Sequence, residues 1–139
     1  DMNALVRRTA EDMEEIYAYR NMRFTLAEQG RLTVRMNPSL AGSVVANLVK
    51  NAFVHGDEGG EVTVDIAPQR FTVCNSGAGG PLDAGHIFDR FYQGAKKEGS
   101  TGLGLAVVDA VCRLYGLKVA YSYMDKRHCF TIDFRTAKK

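Results

Sequence analysis

The chain reads as α+β: a two-layer sandwich in which a mixed, largely antiparallel sheet of about five strands is covered by about three helices. Three observations carry this reading. Short alternating segments cluster in pairs around turn residues, helical apolar periodicity occupies three separate stretches, and the 139 residues, 45% hydrophobic and 24% charged, suit one globular domain, 1–139. A net charge of +2 with scattered Lys and Arg gives no nucleic-acid or anionic-membrane signature. No run reaches the roughly eighteen apolar residues of a span, and Asp1-Met2-Asn3-Ala4 has no signal-peptide shape, so the expected location is cytoplasmic. Cys74, Cys112 and Cys129 sit far apart in apolar patterns and are expected to be buried thiols of a reducing compartment, not metal ligands.

The elements follow in order. Leu5, Met13, Ile16 and Tyr17 among charged neighbours predict a helix over 3–20. Met22, Phe24 and Leu26 alternate with polar residues, as do Leu32, Val34 and Met36 after the Gln29-Gly30 turn, predicting two strands. A helix is expected over 40–55, with Leu40, Val44, Val45, Leu48, Val49, Ala52 and Phe53 on a broad apolar face and a stop at Gly56. Val62, Val64 and Ile66, then Phe71 and Val73, predict a hairpin around Pro68-Gln69-Arg70. Eight of the fourteen glycines fall between Gly77 and Gly104, so 76–104 should be mostly loop around a short helix near 84–92. A helix over 103–115 ends at Gly116. Two last strands, Leu117 to Tyr123 and Phe130 to Phe134, turn at Asp125-Lys126-Arg127.

Two features carry chemistry. Gly99-Ser100-Thr101-Gly102-Leu103-Gly104-Leu105 runs from a glycine-rich loop into a helix, where unpaired backbone N–H groups and the helix dipole favour phosphate. On the helix of 40–55, Asn47, Asn51 and His55 recur every four residues and form one polar stripe. Such a stripe is often only a solvated face. Asparagine, however, is a mediocre helix former, and its carbonyl oxygen is a hard ligand suited to magnesium beside phosphate.

Asn47-Leu48-Val49-Lys50-Asn51-Ala52, Asn75-Ser76-Gly77-Ala78-Gly79, Ile87-Phe88-Asp89-Arg90-Phe91-Tyr92 and Thr101-Gly102-Leu103-Gly104-Leu105 resemble, in order and spacing, the N, first glycine, F and second glycine boxes of the ATP-binding catalytic domain of two-component sensor histidine kinases. That domain has the Bergerat, or GHKL, fold shared with gyrase, the Hsp90 chaperones and MutL. The resemblance implies ATP and magnesium as cofactors and a histidine kinase activity. It makes Asn51 the metal ligand, with Asn47 supporting the phosphates and His55 near the nucleotide. Asn75 would accept from the adenine amino group, Gly77 and Gly79 would pass under the base, and Thr101, Gly102, Leu103 and Gly104 would meet the triphosphate. Residues 92–101 would form a lid anchored by Phe88 and Phe91, although an ordinary core role suits those phenylalanines equally.

Three departures stand out. Asn75 replaces the family's Asp and offers a neutral, weaker acceptor. Val54 stands where relatives carry Lys or Arg, and Gln93 where an Arg often follows the aromatic box. Lys50, one turn before Val54, is expected to substitute as the catalytic cation, and Lys96 or Lys97 to serve in the lid; all three also fit ordinary surface lysines. None of His55, His86 and His128 is followed by the family's phosphoacceptor pattern. The implied role is therefore a catalytic fragment, itself monomeric. Its parent would be a homodimeric kinase, open to anchoring in the inner membrane. The implied partners are that kinase's dimerisation domain with its acceptor histidine and, through it, a response regulator. Two alternatives remain open at this stage: a serine kinase of the anti-sigma-factor type, which lacks the aromatic box, and a degenerate interaction module without nucleotide.

Overall fold

A computed structural model describes residues 2–18, 21–56, 59–77 and 104–134. Their elements run α1 (Met2–Ile16), β1 (Arg23–Glu28), α2 (Pro38–His55), β2 (Glu61–Ala67), β3 (Arg70–Ser76), α3 (Gly104–Leu114), β4 (Lys118–Met124) and β5 (Arg127–Asp133). The strands form one sheet in the order β1-β2-β3-β5-β4, with β1 parallel to β2 and every other pair antiparallel. This is the expected mixed sandwich. The strict alternation of β2, β3 and β5 puts Val62, Val64, Ile66, Phe71, Val73, Phe130 and Ile132 on the helix-facing side, each at most 2% exposed.

Helix α2 is the centre of the helical layer, packed on α1 on one side and α3 on the other. Its start is set by Asn37, whose side chain accepts from the Ser39 and Leu40 N–H groups, with Pro38 in the first turn where no donor is missed. Val44, Val45, Leu48, Val49, Ala52 and Phe53 are then buried on the face that the periodicity predicts. Phe53 stacks with Tyr17 and Phe24 at ring distances of 5.8 and 5.9 Å, joining the end of α1 and β1 to the core. Helix α3 closes in a Schellman motif. Gly116 takes a φ of 69°, its N–H donates to the Arg113 carbonyl, and the Leu117 N–H donates to the Cys112 carbonyl. The β4–β5 hairpin turns through Asp125 and Lys126, both at positive φ, as a tight primed turn requires.

Three expectations change. The segment 31–36 alternates in burial, with Leu32 inside, but forms no strand. Its would-be ladder groups bond to the start of α1 instead: the Met2 N–H donates to the Leu32 carbonyl, and the Leu32 N–H donates to Asn3 Oδ1 at 2.8 Å. Helix α1 ends at Ile16 rather than 20, and Asn21 then adopts a φ of 56°. Finally, Cys74 and Cys129 are not free thiols. They face each other in the β3–β5 ladder and form a disulfide, while Cys112 alone remains a buried thiol, its pKa pushed up to about 11 by burial and then by Asp109. The predicted helix near 84–92 and the lid of 92–101 lie outside the described residues.

Candidate functional site

The polar stripe of α2 meets the start of α3. The Asn47 amide nitrogen donates back to the Ser43 carbonyl at 2.8 Å, and its Oδ1 faces Gly104 so closely that a Cβ there would lie 3.0 Å away. A side chain at 104 would crowd Asn47, which would have to give way by a few tenths of an ångström. Asn51 is half-buried one turn further on, and its amide has no hydrogen-bond partner among the described residues. Lys50 is exposed beside it, whereas Val54 is 4% exposed. The two positions are one turn apart on the helix but differ in burial, so a cation at 54 would start from a buried position that Lys50 does not occupy.

At the far end of α2, Gly56 packs against β3. A Cβ on it would meet the Met22 side chain, the Ala52 carbonyl at 2.8 Å and Asn75 Cβ at 3.4 Å, which explains a glycine whose φ is an ordinary −72°. Asn75 is 1% exposed, and its Nδ2 donates to the Ser76 carbonyl at 3.1 Å, which leaves Oδ1 as the acceptor end. From Asn47 to Gly56 the helix advances about 14 Å. The site is therefore elongated, with amide oxygens and a helix N-terminus at one end and a buried amide at the other.

A further residue belongs to that buried end. His128 pairs with Asn75 across the ladder, is 9% exposed, and binds the Tyr121 hydroxyl through Nδ1 at 2.7 Å. Its ring lies where a Cβ of Gly77 would fall, 2.6 Å from Cδ2, so Gly77 is dictated first by His128. The Tyr123 hydroxyl donates to the Gly77 carbonyl at 3.2 Å, and the Gly77 N–H to the Lys126 carbonyl. Sequence spacing could not place His128 here, because its register with Asn75 is a tertiary fact. The one local signal is a polar residue at an inward position of an otherwise apolar alternation.

Of the predicted residues, the structure thus brings Asn47 to Gly104 and sets Asn75 beside Gly77, with Asn51 and half-buried His55 along the helix between. Gly79, Thr101, Gly102 and Leu103 lie outside the described residues, as do Phe88, Phe91, Gln93, Lys96 and Lys97.

A glycine-started helix facing an asparagine stripe above a mixed sheet defines the class: a nucleotide-binding α/β sandwich. Residues 36–138 match the family model of the histidine kinase-, DNA gyrase B- and HSP90-like ATPases, and the chain belongs to that family. Its domain is the catalytic ATPase module found in histidine kinases, and ATP binding comes with it. The chain is 33% identical over 109 residues to the sensor protein QseC of Salmonella typhi, a match covering 68% of this chain and 24% of QseC. With the heme sensor protein HssS of Staphylococcus aureus (strain Newman) it shares 33% over 97 residues, 65% of this chain and 21% of HssS. It thus spans under a quarter of the length of these curated relatives. Among solved structures, the mycobacterial sensor histidine kinase MprB superposes with a TM-score of 0.82 at 25% identity, covering 95% of this chain and 93% of that one. Full-length ShkA in complex with AMPPNP shares the fold, with a TM-score of 0.82 at 24% identity, over 100% of this chain and 31% of its own.

Proposed function

We propose that residues 1–139 are a single catalytic domain that binds Mg-ATP and presents its γ-phosphoryl group to a histidine on a separate dimerisation domain of the same kinase. The observation that carries this reading is the contact of Asn47 with Gly104, which puts amide oxygens against the unpaired N–H groups of a helix start. Anionic phosphates suit that end. The base suits the other, where Asn75 Oδ1 can accept from an exocyclic amino group. Gly79, Thr101, Gly102 and Leu103 complete the cradle in this reading.

The described residues contain no group of three His, Cys, Asp or Glu able to hold a metal by themselves. Magnesium fits as an ion carried mainly by phosphate and water, with Asn51 supplying one neutral oxygen. Lys50 adds a cation, and His55 lines the nucleotide. The protein's work is positioning and charge stabilisation, since phosphoryl transfer asks for little covalent participation. The acceptor domain and a response regulator are the partners, and the expected location is the cytoplasm, with the parent kinase a homodimer.

Titration calorimetry with a non-hydrolysable ATP analogue, with and without magnesium, tests the site. Magnesium should strengthen binding, and Asn51→Ala should remove most of that gain. Lys50→Ala should weaken the analogue by about 1–2 kcal/mol, the scale of a charge-assisted contact, while leaving adenosine nearly unchanged. A chain that binds no nucleotide in either condition is the degenerate interaction module instead. Transfer is tested by labelled ATP: the chain alone stays unlabelled, and a dimerisation fragment of its parent becomes labelled.

A further inference from the structure

Cys74 and Cys129 lie on the outward face of the sheet, one residue along each strand from Asn75 and His128 on the inward face. They are directly opposite, with Cα atoms 4.1 Å apart and the sulfurs bonded, so the bridge forms between positions the ladder already holds together. Both are only half-buried, on a face that also carries Thr72, Ser76 and Thr131. Part of each residue is therefore open to solvent. An ATP-binding domain works where ATP is used, and in the cytosol thiol buffers keep disulfides transient or sensory. A permanent structural bridge is out of place there.

We propose that Cys74–Cys129 is a reversible redox modification site for a low-molecular-weight thiol or a thioredoxin-type dithiol, and that its state sets nucleotide affinity on the opposite face. The proposal rests on the nucleotide-binding reading of the site. In the reducing direction, a thiolate of the reductant attacks one sulfur and forms a mixed disulfide, and the other sulfur leaves as a thiolate that takes up a proton. The second thiol of the reductant, or a second molecule of it, then resolves the mixed disulfide. The protein gains two electrons and two protons as Cys74 and Cys129 thiols, and the reductant ends as its own disulfide. Cys112 does not compete, being buried on the inner face of α3 with a thiol that resists ionisation. The coupling is mechanical. Alternation along β3 and β5 places the bridge back to back with the Asn75–His128 pair, so closing it fixes the spacing of the two strands that hold the base end, and opening it releases that constraint.

The test measures binding of an ATP analogue by the full 139-residue chain, fully oxidised and fully reduced, with the redox state read by mass as a difference of two hydrogen atoms. The oxidised form should bind at least threefold more tightly. Cys74→Ser with Cys129→Ser should match the reduced protein in both buffers, and the bridge should open in excess reduced glutathione or with reduced thioredoxin. Equal affinity in the two states overturns the proposal while leaving the nucleotide site standing, as does a bridge that excess glutathione and reduced thioredoxin both leave closed; opening by thioredoxin alone assigns the dithiol as the reductant. Absence of nucleotide binding in both states removes the site itself, and the proposal with it.

Discussion

The β3–β5 ladder and the β1 edge hold their parts of the molecule by different means. In the ladder, seven residue pairs from Arg70↔Asp133 to Ser76↔Arg127 run without interruption, the inward side chains are apolar except for the Asn75–His128 pair, and a covalent bond crosses the outward face. At the β1 edge, the segment 29–36 is tied to α1 by one backbone bond, from the Met2 N–H to the Leu32 carbonyl, and otherwise by side chains. Asn3 alone donates to Glu28 Oε1 and to the Gly30 carbonyl and accepts from the Leu32 N–H, and Arg7 grips both oxygens of Glu28 at 2.7 and 2.8 Å. A ladder spreads its stability over many equivalent bonds. A side-chain clasp concentrates it in a few residues, so single substitutions act very differently in the two regions.

The largest effect belongs to the ladder, through its one concentrated feature. Breaking a bridge between residues 55 apart returns loop-closure entropy to the unfolded chain, worth about 4 kcal/mol on the chain-entropy model. Reduction, or Cys74→Ser with Cys129→Ser, should therefore lower the melting temperature by on the order of 10 °C. Calorimetry with and without reductant reads this directly, and an unchanged transition would mean that residual structure in the unfolded chain already supplies the constraint. Next comes Asn3→Ala. It removes three hydrogen bonds and strands the Leu32 N–H beside a side chain only 1% exposed, which should cost about 2–3 kcal/mol in urea unfolding. Thr72→Ala in the ladder, which loses only a 3.3 Å contact with Thr131, should cost under about 1 kcal/mol by the same measure. Equal losses for the two variants would erase the distinction between the regions.

That distinction also marks where sequence alone could reach. Helix α2 was legible over 40–55 because its apolar period is unbroken there, although the Asn37 cap and the first turn at Pro38 were read as the close of the preceding unit, and the two hairpins were legible because turn residues sit between clean alternations. Residues 32–36 show the same alternation as a strand, since Leu32, Val34 and Met36 do face the core. What the pattern does not contain is the partner, which here is the N-terminus of α1. The Cys74–Cys129 bridge and the Asn75–His128 pair were hidden for a related reason. Both depend on the register of two strands with α3 and β4 between them in the chain, and no local spacing encodes that register. Gly77 was legible as a position of close approach, but the nearest body is the His128 ring.

The smallest predicted effect concerns pH and falls only on the clasp. The Glu28 carboxyl is held down to about 2 from an ordinary 4.5, chiefly by the hydrogen bond from Arg7 and then by that from Asn3. A carboxyl whose folded pKa is depressed contributes its stability in full above the unfolded value, here 4.5, and loses it as pH falls through that value toward 2. Stability should therefore decline over this window in the wild type, and Glu28→Gln should decline less steeply because it has no proton to take up there. Arg7→Ala should flatten the profile in the same direction by raising the Glu28 pKa, while leaving the bonds of Asn3 to the Gly30 carbonyl and the Leu32 N–H in place. The guanidinium is largely exposed, with 55% of its side chain open to solvent, so the pair is screened and the slope should shrink further at high salt. Urea titrations from pH 5 down to pH 3 on the three proteins read the slopes. Identical slopes would mean that Glu28 has the same partners in the unfolded chain, and that the β1 edge is held by Asn3 without help from the ion pair.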